Sequence, residues 1–308
     1  MTERTTERQD VYTRVTSRII ADLEQGVRPW HRPWNAGHTE GRITRPLRHN
    51  FTPYRGINIL LLWAESMANG YRANVWMTYR QAQALGAHVR KGEHGSLVVY
   101  ADTFNKTGVN DKGEEVAEAI PFMKGYTVFN VDQIEGLADT YLPAAPPPES
   151  RLALIEQAER FCAATGATIR HAGNMAYYAP STDVIVLPVP EAFRDAESYA
   201  ATKAHELCHW TAHPSRLDRT LGKRFGDDAY AAEELIAEMG SAFLCADLGI
   251  TPETRDDHAS YLDHWLKVLK ADRRAIFTAA SHAQRAAEFL HGLQPGADRA
   301  EAPKDEAA

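Results

Sequence analysis

The chain opens its first hydrophobic pattern at Val11, Val15, Ile19 and Leu23, apolar residues four apart with mostly polar ones between them. Steps of four place side chains on one face of a helix, so residues 11–25 are expected to form an amphipathic helix. The pattern then lapses. Between Pro29 and Tyr54 neither helical nor strand periodicity holds, and prolines 29, 33, 46 and 53 mark the stretch as irregular. Ile57–Met67 (INILLLWAESM) resumes as an apolar helix, and Thr78–Leu85 as a short one, with Thr78 placed to cap it and Gly86 to stop it. Ser96–Thr103 (SLVVYADT) and Lys124–Phe129 (KGYTVF) read as strands, with the polar segment NKTGVNDKGEEVAEA as a hairpin between them.

PAAPPPE, residues 143–149, is a proline-rich break, and such composition makes a semi-rigid linker. It divides the chain into a domain at 8–140, a linker at 141–149 and a second domain at 150–292. The tail, 293–308, is small and charged and is expected to be disordered. The second half reads as a helix at 150–165 stopped by Gly166, and a short β-rich run, Asp183–Leu187 (DVIVL), between prolines. Helices follow at 196–211, 229–248, 256–269 and 276–290. Short length and flanking prolines suit DVIVL to a sheet edge, where an extended peptide could be added as a strand, and the run suits an ordinary core strand equally well. The fold class expected is α+β, with an N-terminal α+β domain followed by a mostly helical domain with a small sheet.

Net charge is −7, which taken alone argues against nucleic acid. The average hides a split. Residues 28–91 hold ten Lys and Arg against only Glu40 and Glu65, whereas residues 136–308 hold 17 Lys and Arg against 26 Asp and Glu. A basic segment on an acidic chain is a local electrostatic footprint. Within it lie Trp30, Trp34 and Tyr54, with Arg45, Arg48 and Arg55 close by and Arg90-Lys91 on a polar turn. Cations for phosphates and aromatic faces for unpaired bases are what single-stranded nucleic acid requires, so these eight residues are the candidates for binding single-stranded DNA. Trp30 and Trp34 could equally be core anchors, and Trp63, among leucines, reads as core. The three cysteines, 162, 208 and 245, are too dispersed for a disulfide framework, and the first ten residues lack the apolar stretch of a secretory signal. A reducing cytoplasm and no membrane association are expected.

The sharpest motif is His205-Glu206-Leu207-Cys208-His209. On a helix its two imidazoles share a face and can hold one ion, while Glu206 stands beside them to take a proton from attacking water. On the next helix Glu234 and Glu238 are also four apart. Glu234 is read as the third metal ligand and Glu238 as the carboxylate orienting a ligating imidazole through its other ring nitrogen. Glu233, about 100° round the helix, is expected to be solvated. The donor set suits Zn2+, with Mn2+ as another divalent possibility. His213 could extend the metal face, Tyr230 or Tyr178 could stabilise an oxyanion, and Cys208 is accounted for by helix packing.

These segments, taken together and in order, resemble the ArdC family of plasmid-borne antirestriction proteins. The likeness runs through YRGINILLLW (54–63), WMTYRQAQALGAHVRKGEHGSLVVY (76–100) and YTVFNVDQIEGL (126–137), then KAHELCHWTAH (203–213), FGDDAYAAEELIAEMGSAFLCADLGI (225–250) and YLDHWL (261–266). The resemblance implies an N-terminal single-stranded-DNA-binding domain and a C-terminal zincin-like, gluzincin-like metallopeptidase domain acting on an unknown protein or peptide. It implies protection of incoming conjugative DNA from restriction. It maps the metal pattern onto His205, His209 and an acid of EELIAE, with Glu206 catalytic. Two readings follow: a DNA-tethered protease, or a DNA-shielding protein whose metal site is structural.

Overall fold

Caps and left-handed stops set the helix ends in the computed structural model, which describes residues 10–30, 44–109, 115–141, 151–219, 228–250 and 261–297. Asp10 accepts the Thr13 N–H at the start of α1 (Val11–Glu24). Helix α2 (Ile57–Asn69) stops at Gly70, whose φ of 66° is left-handed and costs a glycine little. Thr78 and Gln81 form the reciprocal capping pair that opens α3 (Tyr79–Ala84). In the second half come α4 (Arg151–Ala164), α5 (Ala196–Trp210), α6 (Asp228–Leu248), α7 (Leu262–Ala271) and α8 (Ala275–Gly292). Trp34, the whole proline-rich run at 143–149 and the tail beyond residue 297 lie outside the described residues. No described helix is long and apolar enough to cross a membrane.

The N-terminal sheet runs β1 (Leu47–Arg48), β2 (Val75–Met77), β5 (Glu115–Asn130) and β4 (Ser96–Val109) in spatial order. The two expected strands are present but far longer. They pair as one antiparallel ribbon from Ser96↔Val128 out to Val109↔Glu115. Residues 105–109 and 115–119 of the polar segment join the ladder, because backbone pairing does not require apolar side chains. A two-stranded sheet joins β3 (His88–Val89) to β6 (Ile134–Glu135). The C-terminal sheet has the order β7 (Thr168–His171), β9 (Val184–Leu187), β8 (Tyr177–Ala179). The DVIVL run is therefore its central strand, parallel to β7 and antiparallel to β8, and not an edge. Its prolines flank the strand and leave every N–H within it free to pair, so they did not mark an edge. Strands β7 and β8, short and polar, had no periodic signal of their own.

One hydrophobic cluster runs through both halves of the chain. Val15, Ile19 and Leu23 of α1 and the apolar run of α2 enter it from the N-terminal side. Trp63 packs on Phe243 of α6 with ring centroids 5.9 Å apart, and Trp30 packs edge-on against Trp265 of α7, also at 5.9 Å. Polar ties cross the same seam. Arg45 grips Asp247 through two hydrogen bonds of 2.8 Å, donates to Gln284 at 3.0 Å, and lies over the Phe243 ring. Asn58, buried at the start of α2, bonds both the N–H and the carbonyl of Val99 at 2.8 Å and so locks the helix to β4. A smaller cluster around Val75, Met77, Ala82 and Ile134 belongs to the N-terminal half alone.

Burial opposes the charge on Asp247, but the His291 hydrogen bond and the Arg45 guanidinium win and hold its carboxyl below the ordinary value. A depressed carboxylate stabilises the fold above its unfolded pKa of about 3.9. That contribution is lost as pH falls through the lower folded value. Asp247→Asn should therefore make stability less sensitive to acid below about pH 4, read by urea melts at stepped pH. Arg45→Ala, which strands a largely buried carboxylate, should cost about 3 kcal/mol and leave one cooperative transition. A biphasic melt in the wild-type chain, or an unchanged midpoint in Arg45→Ala, would show that the seam does not couple the halves.

Candidate metal centre

Asp195 caps α5 through the Ser198 N–H at 2.8 Å, fixing where its turns begin and hence which face carries His205 and His209. Their Nε2 atoms lie 3.1 Å apart. Helix α6 crosses α5 closely at Gly240: a Cβ there would lie 2.7 Å from Cys208 Sγ. Ser241 Oγ also donates to the Ala201 carbonyl at 3.1 Å. Cys208 is thus a packing residue, and burial pushes its thiol up, keeping it protonated.

This approach brings Glu234 over the imidazole pair. Its carboxylate oxygens stand 3.5 Å from His205 Nε2 and 3.4 Å from His209 Nε2. A tetrahedral ion with bonds of about 2.05 Å has donor atoms about 3.3 Å apart, and spacings of that size occur here, with Glu234 meeting the two imidazoles through different oxygens, Oε2 toward His205 and Oε1 toward His209. The donor atoms all fall within 4.8 Å of one another. Two imidazoles and a carboxylate are the chemistry of a divalent site, and the residues fit one. Glu206, next to His205 on the same helix, is buried as well, and its charge acts on His209.

The support behind the ligands differs from expectation. Glu233 is 3% exposed, not solvated, and its Oε1 lies 3.4 Å from His209 Nδ1. Arg219 holds that carboxylate with bonds of 2.7 and 3.1 Å, and donates also to the Cys208 carbonyl and Thr211 Oγ1. The angular argument failed because α6 is buried on nearly every side, so neighbours 100° apart both face protein. Glu238 is buried one turn past Glu234. Arg219 lies in the loop after α5 and carries no spacing signal that would have singled it out.

Burial opposes the charge on His209, yet the carboxylates of Glu234 and Glu233 raise its pKa to about 10. Burial likewise opposes ionisation of Glu234, and the two imidazoles drive its carboxyl far down instead. A site that binds a proton this tightly is one with excess negative potential, which a divalent cation would neutralise. Tyr230 faces Glu234: burial, the Tyr261 hydroxyl 3.4 Å away and the carboxylate together push its phenol up. Tyr178, the other tyrosine candidate, is committed elsewhere, donating to Asp183 at 2.8 Å and accepting from Arg216. His213 bonds Ser215 and takes no part in the cluster.

The nucleic-acid candidates scatter. Trp30 is 1% exposed and Tyr54 3%, so both are core residues with no face for a base. Arg45 is consumed by Asp247. Arg48 lies over the Tyr54 ring, Arg55 pairs with Glu288, and Arg90 pairs with Glu93 at 2.7 Å. Lys91 is exposed on its turn, and Trp34 falls outside the described residues. A basic, aromatic, aperiodic segment satisfies a polar seam between two halves as well as it satisfies DNA, which is why its composition could not separate the two. Among the described residues of the N-terminal half, the exposed rings are instead Phe51, stacked on Tyr141, and Tyr79.

Comparison with known proteins places both halves. The N-terminal domain of anti-restriction factor ArdC matches residues 9–129, and the family described as zincin-like metallopeptidase matches residues 156–282. Two crystal structures of the antirestriction ArdC protein from plasmid R388 superpose on the chain. The metal-free one has a TM-score of 0.77 at 46% identity, covering 92% of this chain and 98% of that one. The Mn(II)-bound one has a TM-score of 0.76 at 43% identity, covering 94% and 100%. A Sinorhizobium fredii protein, y4eC, is 47% identical over 95% of both chains. Escherichia coli DNA primase TraC is 40% identical over 91% of this chain, which spans only 27% of the primase.

If Glu233 and Arg219 orient His209, Arg219→Met should weaken divalent-ion binding by about 10–100-fold without abolishing it. His205→Ala/His209→Ala should abolish it. Competition titration with a metallochromic chelator reads both, and an Arg219→Met affinity equal to wild type would leave the buried pair a packing device only.

Proposed function

The chain belongs to the ArdC antirestriction family, and we propose that it protects incoming conjugative plasmid DNA from restriction by binding it as single strands, while carrying a zinc-dependent peptidase site at His205-Glu206-Leu207-Cys208-His209. The observation that carries the peptidase reading is the convergence of His205, His209 and Glu234, whose donor atoms come close enough to share one divalent ion. These three would hold the ion, Zn2+ or Mn2+, which would supply Lewis acidity toward a peptide carbonyl. Glu206 takes the proton from the attacking water on its carboxylate and passes it to the departing amine. Tyr230, hydroxyl toward Glu234, is placed to donate to the developing oxyanion. The substrate is an unknown protein or peptide.

Two comparisons support this reading over a purely structural metal. The R388 relative has been solved metal-free and with Mn(II), and this chain matches both equally well. In that relative the fold stands without the ion, which speaks against a structural role here. Recurrence of the same module within proteins named DNA primase supports a nucleic-acid context. A cytoplasmic setting fits three buried, free cysteines.

Glu206→Gln preserves the shape of the site and removes the base. Peptide hydrolysis should fall by roughly two to four orders of magnitude, while metal content and DNA affinity stay near wild type. Protection should survive, because coating a strand blocks access to it without proteolysis. Conjugation into restricting and non-restricting recipients reads this directly. Loss of protection in a mutant that still binds metal and DNA would make cleavage the mechanism of antirestriction.

A further inference from the structure

Tyr230 sits on the first turn of α6, one turn before Glu234, and its hydroxyl hydrogen-bonds that carboxylate. On its other side stands the hydroxyl of Tyr261, 3.4 Å away. Tyr261 opens α7 and is buried. A distance of 3.4 Å is long for an O–H···O bond, usually about 2.5–3.0 Å, so the contact alone would be a weak tie. What fixes it is the ring beneath the hydroxyl. The Tyr261 ring is stacked on Trp265, with centroids 6.1 Å apart and planes 19° from parallel. Trp265 is fully buried and donates through Nε1 to the Ala231 carbonyl at 3.0 Å. It is also the ring against which Trp30 of the N-terminal half packs. Helix α7 therefore grips the turn of α6 that carries Tyr230.

Counting protons gives the pair a direction. A carboxylate that ligates a cation is ionised and can only accept. Tyr230 has one hydroxyl proton, and Glu234 takes it. The bond between the two hydroxyls is then donated by Tyr261 and accepted by the Tyr230 oxygen. A donor on that oxygen polarises the phenol and strengthens the bond it gives to Glu234. Glu234 meets the imidazole pair through both oxygens, so a small rotation of its carboxylate alters both contacts. Hydrogen bonds to a ligating group are what hold such an orientation. We propose that Tyr261 is a positioning residue of the metal centre: its hydroxyl donates to Tyr230, commits the Tyr230 proton to Glu234, and so sets the orientation in which Glu234 meets the ion. When the phenol turns to a substrate oxyanion, as proposed above, Tyr261 keeps hold of the oxygen about which it turns. The proposal rests on the metal-binding reading of His205, His209 and Glu234, and not on peptide hydrolysis.

The test uses the full chain with Zn2+ alone, its affinity read by competition with a chelator, and Co2+ as a spectroscopic probe of ligand geometry. Tyr230→Phe should weaken Zn2+ binding about tenfold. Tyr261→Phe should weaken it about threefold, the worth of one modest hydrogen bond, and should change the Co2+ absorption bands. The double variant Tyr230→Phe/Tyr261→Phe should bind no more weakly than Tyr230→Phe alone, because Tyr261 acts through that phenol. Incorporating 4-aminophenylalanine at position 261, which restores a donor, should recover affinity and spectrum; O-methyltyrosine there, which keeps the oxygen and lacks the proton, should not. If Tyr261→Phe shifts the urea midpoint, the comparison of these two substituted rings still separates donation from packing. Wild-type affinity and an unchanged Co2+ spectrum in Tyr261→Phe would overturn the proposal. So would losses that add in full in the double variant, or recovery by O-methyltyrosine, either of which makes Tyr261 a packing residue only. Equal Zn2+ binding by the wild type and His205→Ala/His209→Ala would remove the metal centre itself and this inference with it, whereas absence of peptide hydrolysis would leave it standing.

Discussion

Everything at the metal face depends on how closely α5 and α6 approach. Both contribute donors, and neither can hold an ion alone: α5 offers two imidazoles on one face, α6 the carboxylate opposite. Gly240 sets the distance, because any side chain there would run into Cys208. Cys208 lies within the motif between the two histidines, so the residue packed by the crossing is flanked by the residues that the crossing brings to Glu234. Glu233 and Arg219 then close the other side of His209, with Arg219 reaching back to the Cys208 carbonyl. The arrangement is rigid by construction. It rests on backbone contact and a buried ion pair, not on flexible surface side chains.

The second constraint is the common core. Trp30 and Trp63 are N-terminal residues that finish packing only on Trp265 and Phe243 of the C-terminal half. Arg45 supplies the polar counterpart, satisfying Asp247 and Gln284 across the same seam. Two family matches with a proline-rich run between them suggest separable modules; the packing describes two halves that complete each other. Buried tryptophans exposed by removing one half would cost far more than a surface contact, since each carries a large apolar area.

The sequence made legible what repeats at a fixed interval. Helices α1, α2, α3, α5, α6 and α8 follow from spacing, caps and glycine stops, and His205, His209 and Glu234 converge as their spacing implied. What was illegible depends on neighbours in space. Whether Glu233 is solvated is decided by what surrounds α6, not by its angle on the helix. Arg219 reaches His209 from a loop. The central place of β9 depends on β7 and β8, both too short and polar to announce themselves. The basic segment misled for the same reason: Arg45 and Trp30 have the chemistry of DNA contacts, and only the fold shows that Asp247 and Trp265 already occupy them.

Helix α8 links the seam to the metal face. One of its faces carries Gln284, which accepts from Arg45, and Glu288, which pairs with Arg55, so it meets the N-terminal half. Its other face packs against α6, with the Ala283 carbonyl close to where a Cβ of Gly240 would lie. Close-packed interiors transmit position well and absorb little displacement. A shift of α8 at the seam would therefore be felt at Gly240, and through it at the α5–α6 approach that brings Glu234 to the imidazole pair.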